Sequence, residues 1–257
     1  MTARRQIVSL LEDRLIMKPI AIFRHTKIEG PGYFATFLDS RSIPWQLIAI
    51  DRGEAVPANA ESFSGLCLMG GPMSVNDPLP WIDDLCALIR SADAKGIPVI
   101  GHCLGGQLMS KAFGGQITSS PVKEIGWGKV HVEDNAEAGR WFGDWLVESG
   151  GQADVFQWHG ETFSIPPGAQ RLLVNDFCSN QMFCRGPNLA MQCHVEMTSE
   201  IISEWCGSWP DEVKGLDPLP ASVQTPEQMH AETPAHLPVM RRLADQLYSV
   251  WIAGLKA

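Results

Sequence analysis

Several features that would place the chain in a particular class of protein are missing from its 257 residues. No stretch approaches the ~18 consecutive apolar residues of a membrane-spanning helix. Residues 1–17 include Glu12, Asp13 and Arg14, which interrupt the apolar core that a secretory signal peptide needs. No two cysteines form a C-x-x-C pair, so the sequence does not predict a zinc or iron–sulfur site. We therefore expect a soluble, cytoplasmic protein.

Basic residues are also scarce, since 20 lysines and arginines stand against 29 aspartates and glutamates, giving a net charge of −9. Such a chain would repel phosphates and acidic lipid headgroups, which argues against nucleic-acid and membrane partners. The seven cysteines are odd in number and lack the spacing of a disulfide framework, so we expect reduced thiols. The hydrophobic fraction of 45% is ordinary for a globular protein. These totals leave a small-molecule substrate open.

The first hundred or so residues alternate between two kinds of pattern. Short apolar runs typical of strands lie at 19–23, 45–51, 65–72 and 97–103, and helical patterns lie between them at 30–43 and 81–96. Gly96 is a stop signal for the second helix. This alternation is typical of a parallel sheet covered by helices on both faces. We predict an α/β, flavodoxin-like fold with a mostly parallel central sheet.

The pattern changes from Gly115 onward, where strands and turns follow one another with few helices between them. We interpret this part as a mixed extension of the same sheet, since no linker-like composition intervenes. The Pro-rich, acidic segment 207–234 is predicted to be a long surface loop, and 237–255 a closing amphipathic helix. Residues 1–17 are an N-terminal extension or a peripheral helix. Residues 18–257 then form a single domain that includes the C-terminal loop and helix.

The most informative segment is Gly101-His102-Cys103-Leu104-Gly105, hereafter the cysteine elbow, which joins an apolar strand directly to a helical pattern. In a strand–turn–helix elbow the nucleophile occupies a strained backbone conformation, and glycines two residues away avoid clashes. The turn also places Cys103 at a helix N-terminus, which favours the thiolate. The Leu104 amide would be an oxyanion donor. The alternative is a buried core cysteine in a glycine-rich turn.

A cysteine nucleophile needs a base, and the base needs an orienting acceptor. Two segments offer a His-x-Glu pair, His159 with Glu161 and His194 with Glu196. Both follow strand-like runs, and residues i and i+2 of a strand project to the same face. Either pair could therefore place a carboxylate beside an imidazole, and the spacing alone does not choose between them.

The motifs GHCLGGQ, MGGP and CHVE together resemble the class I (triad) glutamine amidotransferase family, over roughly residues 19–205. The chain is most similar to the stand-alone proteins related to the glutaminase domain of GMP synthetase. The resemblance implies a catalytic triad of Cys103, His194 and Glu196. The family's usual proline between the last two is Val195 here, a departure that should leave the alternation of side chains intact.

The resemblance also implies the surroundings of the triad. Gly71, in the Gly70-Gly71-Pro72 turn, would supply the second oxyanion N–H beside Leu104, and Gly70 of the same turn would bind the substrate. Gln107 falls at the family position whose amide contacts the α-amino-acid end of the substrate. Taken alone, Gly70 and Gly71 would form an ordinary tight turn and Gln107 would be an exposed helix residue.

The segment WHGETFSIP resembles the family segment that lines the glutamine pocket, which makes Trp158 and His159 substrate-binding residues rather than the base. The other histidines, His25 and His102 among them, are then structural or exposed. The implied reaction attacks the glutamine side-chain amide, or a γ-glutamyl bond, through a glutamyl thioester, and needs neither a metal nor an organic cofactor.

What receives the ammonia is open at this stage. The sequence shows no Walker-type nucleotide loop and no recognisable synthetase half, and the SGGQAD segment at Ser149 reads as a turn. The enzyme would either serve a separate synthetase subunit, with 207–234 as the candidate docking segment, or act alone as a γ-glutamyl hydrolase or peptidase. A third possibility is a non-catalytic binding module that keeps the fold without turnover.

Overall fold

A nine-stranded mixed sheet organises residues 17–214 and 216–256, the part of the chain that the computed structural model describes. The strands are β1 (Ile20–Arg24), β2 (Trp45–Ala49), β3 (Gly65–Leu68), β4 (Val99–His102), β5 (Ile117–Val132), β6 (Gln152–Phe163), β7 (Gln170–Val174), β8 (Met182–Arg185) and β9 (Asn188–Met191). The helices are α1 (Gly32–Ser40), α2 (Pro80–Ala94), α3 (Leu104–Ala112), α4 (Ala136–Glu148), α5 (Ser199–Ser208) and α6 (Pro226–Ile252). The helix or extension predicted over 1–17 falls almost wholly outside the described residues.

The strand order is β2-β1-β3-β4-β9-β8-β7-β5-β6. The half from β2 to β9 is parallel, and the half from β9 to β6 is antiparallel. Strands β1, β3 and β4 are buried along their whole length, because apolar clusters cover both faces of the sheet. The predicted α/β class, with its parallel core and mixed extension, is confirmed. Among the described helices, none combines the length and the apolar character that crossing a bilayer requires.

The helix predicted over 81–96 is confirmed as α2, which ends before Gly96. Gly96 has a φ of +64°, the left-handed conformation that commonly terminates a helix. Helix α1 is shorter than the pattern over 30–43 suggested, because Pro31 directly precedes it and the chain turns after Ser40.

Helix α4 was not recognised in the sequence. Its apolar face, which includes the buried Trp141, Phe142 and Trp145, is interrupted by Gly143, whose φ of 50° and ψ of −137° are not helical. The Asn135 side chain caps the helix by accepting hydrogen bonds from two backbone N–H groups. Burial of the tryptophans therefore stabilises the helix by more than Gly143 destabilises it. Helix propensities alone could not predict this outcome.

The loop predicted over 207–234 is wrong at both of its ends. Helix α5 continues to Ser208, and α6 begins at Pro226 rather than at residue 237. Pro226 occupies the first helical position, where its missing N–H costs nothing, and Thr225 with Gln228 forms a capping box. Pro234 lies inside α6, where proline normally costs about 3 kcal/mol.

The proline is tolerated because α6 buries an apolar face against the core, with Met229, Leu237, Met240, Leu243, Leu247, Tyr248 and Trp251. The segment before the helix is not wholly exposed either. Val223 is buried and pairs with Ile125 in an isolated bridge. Residues 223–234 are therefore part of the fold rather than a solvated loop.

Candidate active site

The cysteine elbow has the backbone that its sequence suggested. Strand β4 ends at His102, α3 begins at Leu104, and Cys103 between them has a φ of 49°, which a residue with a side chain rarely adopts. A side chain on Gly105 would collide with the Leu68 carbonyl, so the flanking strand and helix leave room only for hydrogen there. The Cys103 N–H donates to the Met191 carbonyl oxygen at 2.8 Å, which ties the elbow to β9. The packed sheet holds this strained backbone in place.

The end of β9 brings the second motif to the elbow. The His194 Nδ1–H donates to Glu196 Oε1 at 2.6 Å, and both side chains are buried. The other ring nitrogen, Nε2, has no hydrogen-bond partner of standard geometry among the described residues, but Cys103 lies close enough to contribute to the His194 pKa. Burial alone would lower that pKa, yet the Glu196 carboxylate and Cys103 outweigh burial and raise it well above its usual value.

The pKa of Glu196 moves in the opposite direction. Burial would raise it, but His194 and, less strongly, His102 favour the charged carboxylate and lower the pKa to about 2. Glu196 is therefore ionised over the whole physiological range, as a carboxylate that orients an imidazolium must be.

The two predicted oxyanion residues are neighbours. A side chain on Gly71 would lie 2.8 Å from Leu104 Cδ2, so the turn after β3 packs directly on the first residue of α3. Beside this turn, His25 Nδ1–H donates to the Met69 carbonyl oxygen at 3.0 Å, and the ring stacks on Trp81. Burial lowers the pKa of His25 to about 4, so the ring is neutral. His25 thus anchors the turn, in agreement with the structural role expected for it.

A cavity of about 230 Å³ opens beside the elbow. Six of the nine predicted site residues line it, namely Gly71, Cys103, Gln107, Trp158, His159 and His194. Gly70, Leu104 and Glu196 are buried or partly buried behind this wall. Three tryptophans, Trp158, Trp205 and Trp209, form an aromatic side of the cavity, with ring centroids 5.3–5.8 Å apart.

Gln107 is buried rather than exposed. Its Nε2 donates to Gln192 Oε1 at 3.2 Å, and Gln192 Nε2 in turn donates to Cys103 Sγ at 3.6 Å. Gln192 did not stand out in the sequence. The signal for it was its i, i+2 spacing from His194 and Glu196, which places three polar residues at alternate positions of one extended segment.

The structure separates the two His-x-Glu pairs. His159 Nε2 lies 3.1 Å from Glu124 rather than beside Glu161, and its Nδ1–H donates to the Glu161 backbone oxygen at 3.0 Å. The Glu161 carboxylate instead accepts a hydrogen bond from Ser74. Of the two pairs, only His194 with Glu196 forms an imidazole–carboxylate pair that also adjoins the thiol.

Comparison with known proteins agrees with this arrangement. The family described as glutamine amidotransferase class-I matches residues 38–203, more than half of the chain. The chain belongs to this family. The predicted resemblance is confirmed, and the chain is an enzyme of the glutamine amidotransferase type.

Individual relatives give the same result. A glutamine amidotransferase-like protein of Salmonella typhimurium, YfeJ, is 30% identical over 184 residues, 69% of this chain and 75% of that protein. A γ-glutamyl peptidase 3 of Arabidopsis thaliana is 26% identical over 181 residues, 67% of this chain and 72% of the peptidase. A GMP synthase of Aromatoleum aromaticum is 32% identical over 117 residues, but the chain spans only 22% of its length. The crystal structure of a glutamine amidotransferase from Methylobacillus flagellatus is 41% identical with a TM-score of 0.88, covering 93% and 96% of the two chains.

Two residues of the amidotransferase site were not singled out in the sequence. His102 is fully buried, with Nε2 lying 3.1 Å from the Tyr248 hydroxyl and 3.9 Å from Glu196 Oε2. Its side chain diverges from Cys103, as expected, but it reaches the back of the orienting carboxylate. Glu29 is almost wholly buried and lines the cavity together with Cys103. Glu29 belongs to no recognisable motif, and His102 lies in the cysteine elbow but its contact with Glu196 depends on the fold.

One cluster in the enzyme has the composition of a metal site. The potential ligand atoms of Glu124, His159 and Cys178 all lie within 4.8 Å of one another. The Glu124 carboxylate, however, already accepts hydrogen bonds from Asn175 at 2.5 Å and Gln181 at 2.9 Å, and it also faces His159. These contacts account for the carboxylate without an ion, so we interpret the cluster as a polar network that supports one wall of the cavity.

Proposed function

We propose that the enzyme hydrolyses the side-chain amide of glutamine, or a γ-glutamyl bond like it, through a glutamyl thioester on Cys103. The observation that carries this proposal is the meeting of Cys103, at a strained helix N-terminus, with a His194–Glu196 pair in one cavity. The raised pKa of His194 favours an imidazolium beside a thiolate, which is the reactive form of a cysteine nucleophile.

In the proposed reaction, the Cys103 sulfur attacks the γ-carbonyl carbon of the substrate. The backbone N–H groups of Gly71 and Leu104 stabilise the oxyanion. His194, held by Glu196, donates its proton to the leaving nitrogen, and the carbon–nitrogen bond breaks. The same imidazole then takes a proton from water, which attacks the thioester and releases glutamate.

The rest of the cavity suits a small substrate. Its volume of about 230 Å³ is below the ~300–1,000 Å³ of most ligand sites. A cavity of this size fits one amino-acid unit of a substrate rather than a long peptide. We assign Gln107, Trp158 and His159 to binding the α-amino-acid end, because they line the cavity that contains Cys103.

We favour an independent hydrolase over a subunit that feeds ammonia to a synthetase. Similarity to the γ-glutamyl peptidase extends over 72% of that relative, whereas the GMP synthase shares only a part equal to 22% of its length. The two ends of the segment 207–234, which the sequence offered as a docking surface, are built into the fold through α5, α6 and the buried Val223. We also propose that residues 18–257 form a single domain, since one sheet connects both halves.

The deciding experiment incubates the purified chain with glutamine and with a panel of γ-glutamyl dipeptides and measures the release of glutamate. A Cys103→Ser variant is the control and should release none. Release that appears only after a synthetase is added would favour the partnered enzyme. A chain that binds these compounds but never releases glutamate would instead be a binding module.

A further inference from the structure

Glu29 occupies an unusual position for a carboxylic acid. It lies in the loop between β1 and α1, its side chain is 5% exposed, and it lines the same cavity as Cys103 and His194. Within residues 17–214 and 216–256, its carboxyl makes no ion pair and receives no hydrogen bond of standard geometry. A nearly buried polar group without a protein partner is costly, and such groups are generally kept for a ligand or for chemistry.

The loop that carries Glu29 is anchored to the site. The Glu29 N–H donates to the Thr26 carbonyl oxygen at 3.2 Å, and the Trp205 indole N–H donates to the Ile28 carbonyl oxygen at 3.0 Å. The Trp205 ring also packs edge-on against the His194 imidazole, with ring centroids 4.9 Å apart. The carboxyl is therefore held in a defined place relative to the base.

Glu29 and His194 both approach Gly70, which lies behind the cavity wall. A side chain on Gly70 would collide with Glu29 Oε2 and would lie 3.4 Å from His194 Cε1. Cε1 is bonded to both ring nitrogens, Nδ1 and Nε2, so the Glu29 carboxyl lies near this edge of the imidazole. Because Glu29 lines the cavity in which His194 must protonate the leaving nitrogen, its carboxyl can meet the leaving group once that group has left the carbonyl carbon.

Burial keeps Glu29 protonated. Its pKa is about 8, because burial raises it by more than His194 lowers it, and Glu196 adds a smaller increase. These two are the charged groups that act on it. Once His194 has given its proton to the leaving group, the cation that lowers the Glu29 pKa is lost. The acid therefore holds its proton until a stronger base arrives.

We propose that Glu29 is the group that takes up the leaving amine. After the carbon–nitrogen bond breaks, the Glu29 carboxyl transfers its proton to the lone pair of the released ammonia or primary amine. The products are a carboxylate and an ammonium ion that form an ion pair, and the ammonium then departs while water returns a proton to Glu29. This inference rests on the proposed function.

The proton transfer is favourable and has a consequence for the reaction. Free ammonia and the amine of a free amino acid are stronger bases than a carboxylate whose conjugate acid has a pKa of about 8, so the amine takes the proton. An ammonium ion has no free lone pair and cannot attack the thioester again. Glu29 would therefore commit the enzyme to hydrolysis, whereas an enzyme that delivers ammonia to an acceptor must keep it unprotonated.

The test compares two fates of the glutamyl thioester: attack by an amine, which forms substrate again, and hydrolysis, which releases glutamate. The full chain is incubated with glutamine and ¹⁵N-ammonium chloride, or with γ-glutamylglycine and ¹⁵N-glycine, and mass spectrometry gives the ratio of ¹⁵N incorporated into substrate to glutamate released. Glu29→Gln keeps the size of the side chain but removes the acid, and we expect it to raise this ratio by about tenfold or more. The control is Glu212→Gln, a carboxylate at the cavity rim that pairs with Lys123 at 2.8 Å, and its ratio should match that of the wild type.

A second measurement needs only the wild-type chain. Expressed per unit of free amine, the exchange ratio should rise about tenfold from about pH 7 to about pH 9, on either side of the Glu29 pKa of about 8. If Glu29→Gln releases no glutamate, the pH dependence of the wild-type exchange ratio tests the inference by itself. An unchanged ratio in an active Glu29→Gln enzyme, or a flat wild-type profile, overturns the inference and leaves the proposed function standing. Absence of glutamate release by the wild type from every substrate overturns both.

Discussion

His102 Nε2 lies 3.9 Å from Glu196 Oε2, on the opposite side of the carboxylate from His194. The same His102 nitrogen is 3.1 Å from the Tyr248 hydroxyl on α6. Burial lowers the pKa of His102, so a neutral ring rather than a second cation stands behind the orienting carboxylate. The last helix of the fold is thereby connected to the triad through two buried side chains.

This connection predicts the effect of Tyr248→Phe. The variant leaves His102 without its hydroxyl partner, and an unmet buried hydrogen bond costs about 1–3 kcal/mol. We expect the free energy of unfolding in urea to fall by that amount, with a smaller change in kcat. Tyr33→Phe is a control, because its hydroxyl binds Asp245 in a partly exposed position. Equal losses in the two variants would contradict the special role of the buried pair.

The nucleophile can be identified chemically. A diazoketone analogue of glutamine should label Cys103 ahead of the six other cysteines, as read from peptide masses. Cys184 and Cys193 are the sharpest comparison, because burial raises the pKa of both thiols, that of Cys184 to about 11. Faster labelling of either one would remove Cys103 from the centre of the mechanism.

The two histidines should differ in kinetic effect. His194→Ala removes the proposed base and should reduce kcat by ~10²–10⁴-fold. His159→Ala should mainly raise KM, since His159 contacts the cavity and Glu124 but not the thiol. Steady-state kinetics on the best γ-glutamyl substrate separates the two effects. A dead His159→Ala beside an active His194→Ala would invert the assignment.

Glu29 also predicts a stability profile that needs no substrate. Its pKa is about 8 in the fold against an ordinary value of 4.5, so the folded protein holds a proton that the unfolded chain releases. The associated stability is fully present below about pH 4.5 and is lost as the pH rises to about 8. Glu29→Gln avoids this loss. The difference in unfolding free energy between Glu29→Gln and the wild type should therefore grow from about pH 4.5 to about pH 8 and then level off. The exposed control Glu54→Gln should show no such pH-dependent difference.

The start of α6 offers a test of the corrected C-terminal region. Thr225→Ala removes one half of the capping box and should lower the unfolding free energy by about 1 kcal/mol. Thermal melts would detect the shift, and Ser222, outside the box, provides a nearby polar position for comparison. No change would mean that residues 226–234 are not held as helix in solution.

The elbow, the H-x-E pair and the alternation of the first four strands could be predicted from the sequence, because each depends on local spacing. Gly101 and Gly105 flank Cys103 within five residues, and the period of apolar residues separates strand from helix over a few turns. The same local rules failed for α4 and for the start of α6. There Gly143 and Pro234 oppose helix formation, and burial of distant tryptophan, leucine and methionine side chains overrides them.

Spacing alone could not choose His194 over His159, because both precede a glutamate at the same interval. The family resemblance implied His194, and the tertiary structure supplies the physical reason, which lies in what each ring meets across the sheet. The pairing of β9 with β4 carries His194 to Cys103, and the pairing of β5 with β6 places Glu124 against His159. The environments of Glu29 and His102 likewise depend on the tertiary structure. Their surroundings come from segments far apart in the chain, and burial, which sets the pKa of each, is a property of the assembled fold and not of any local motif.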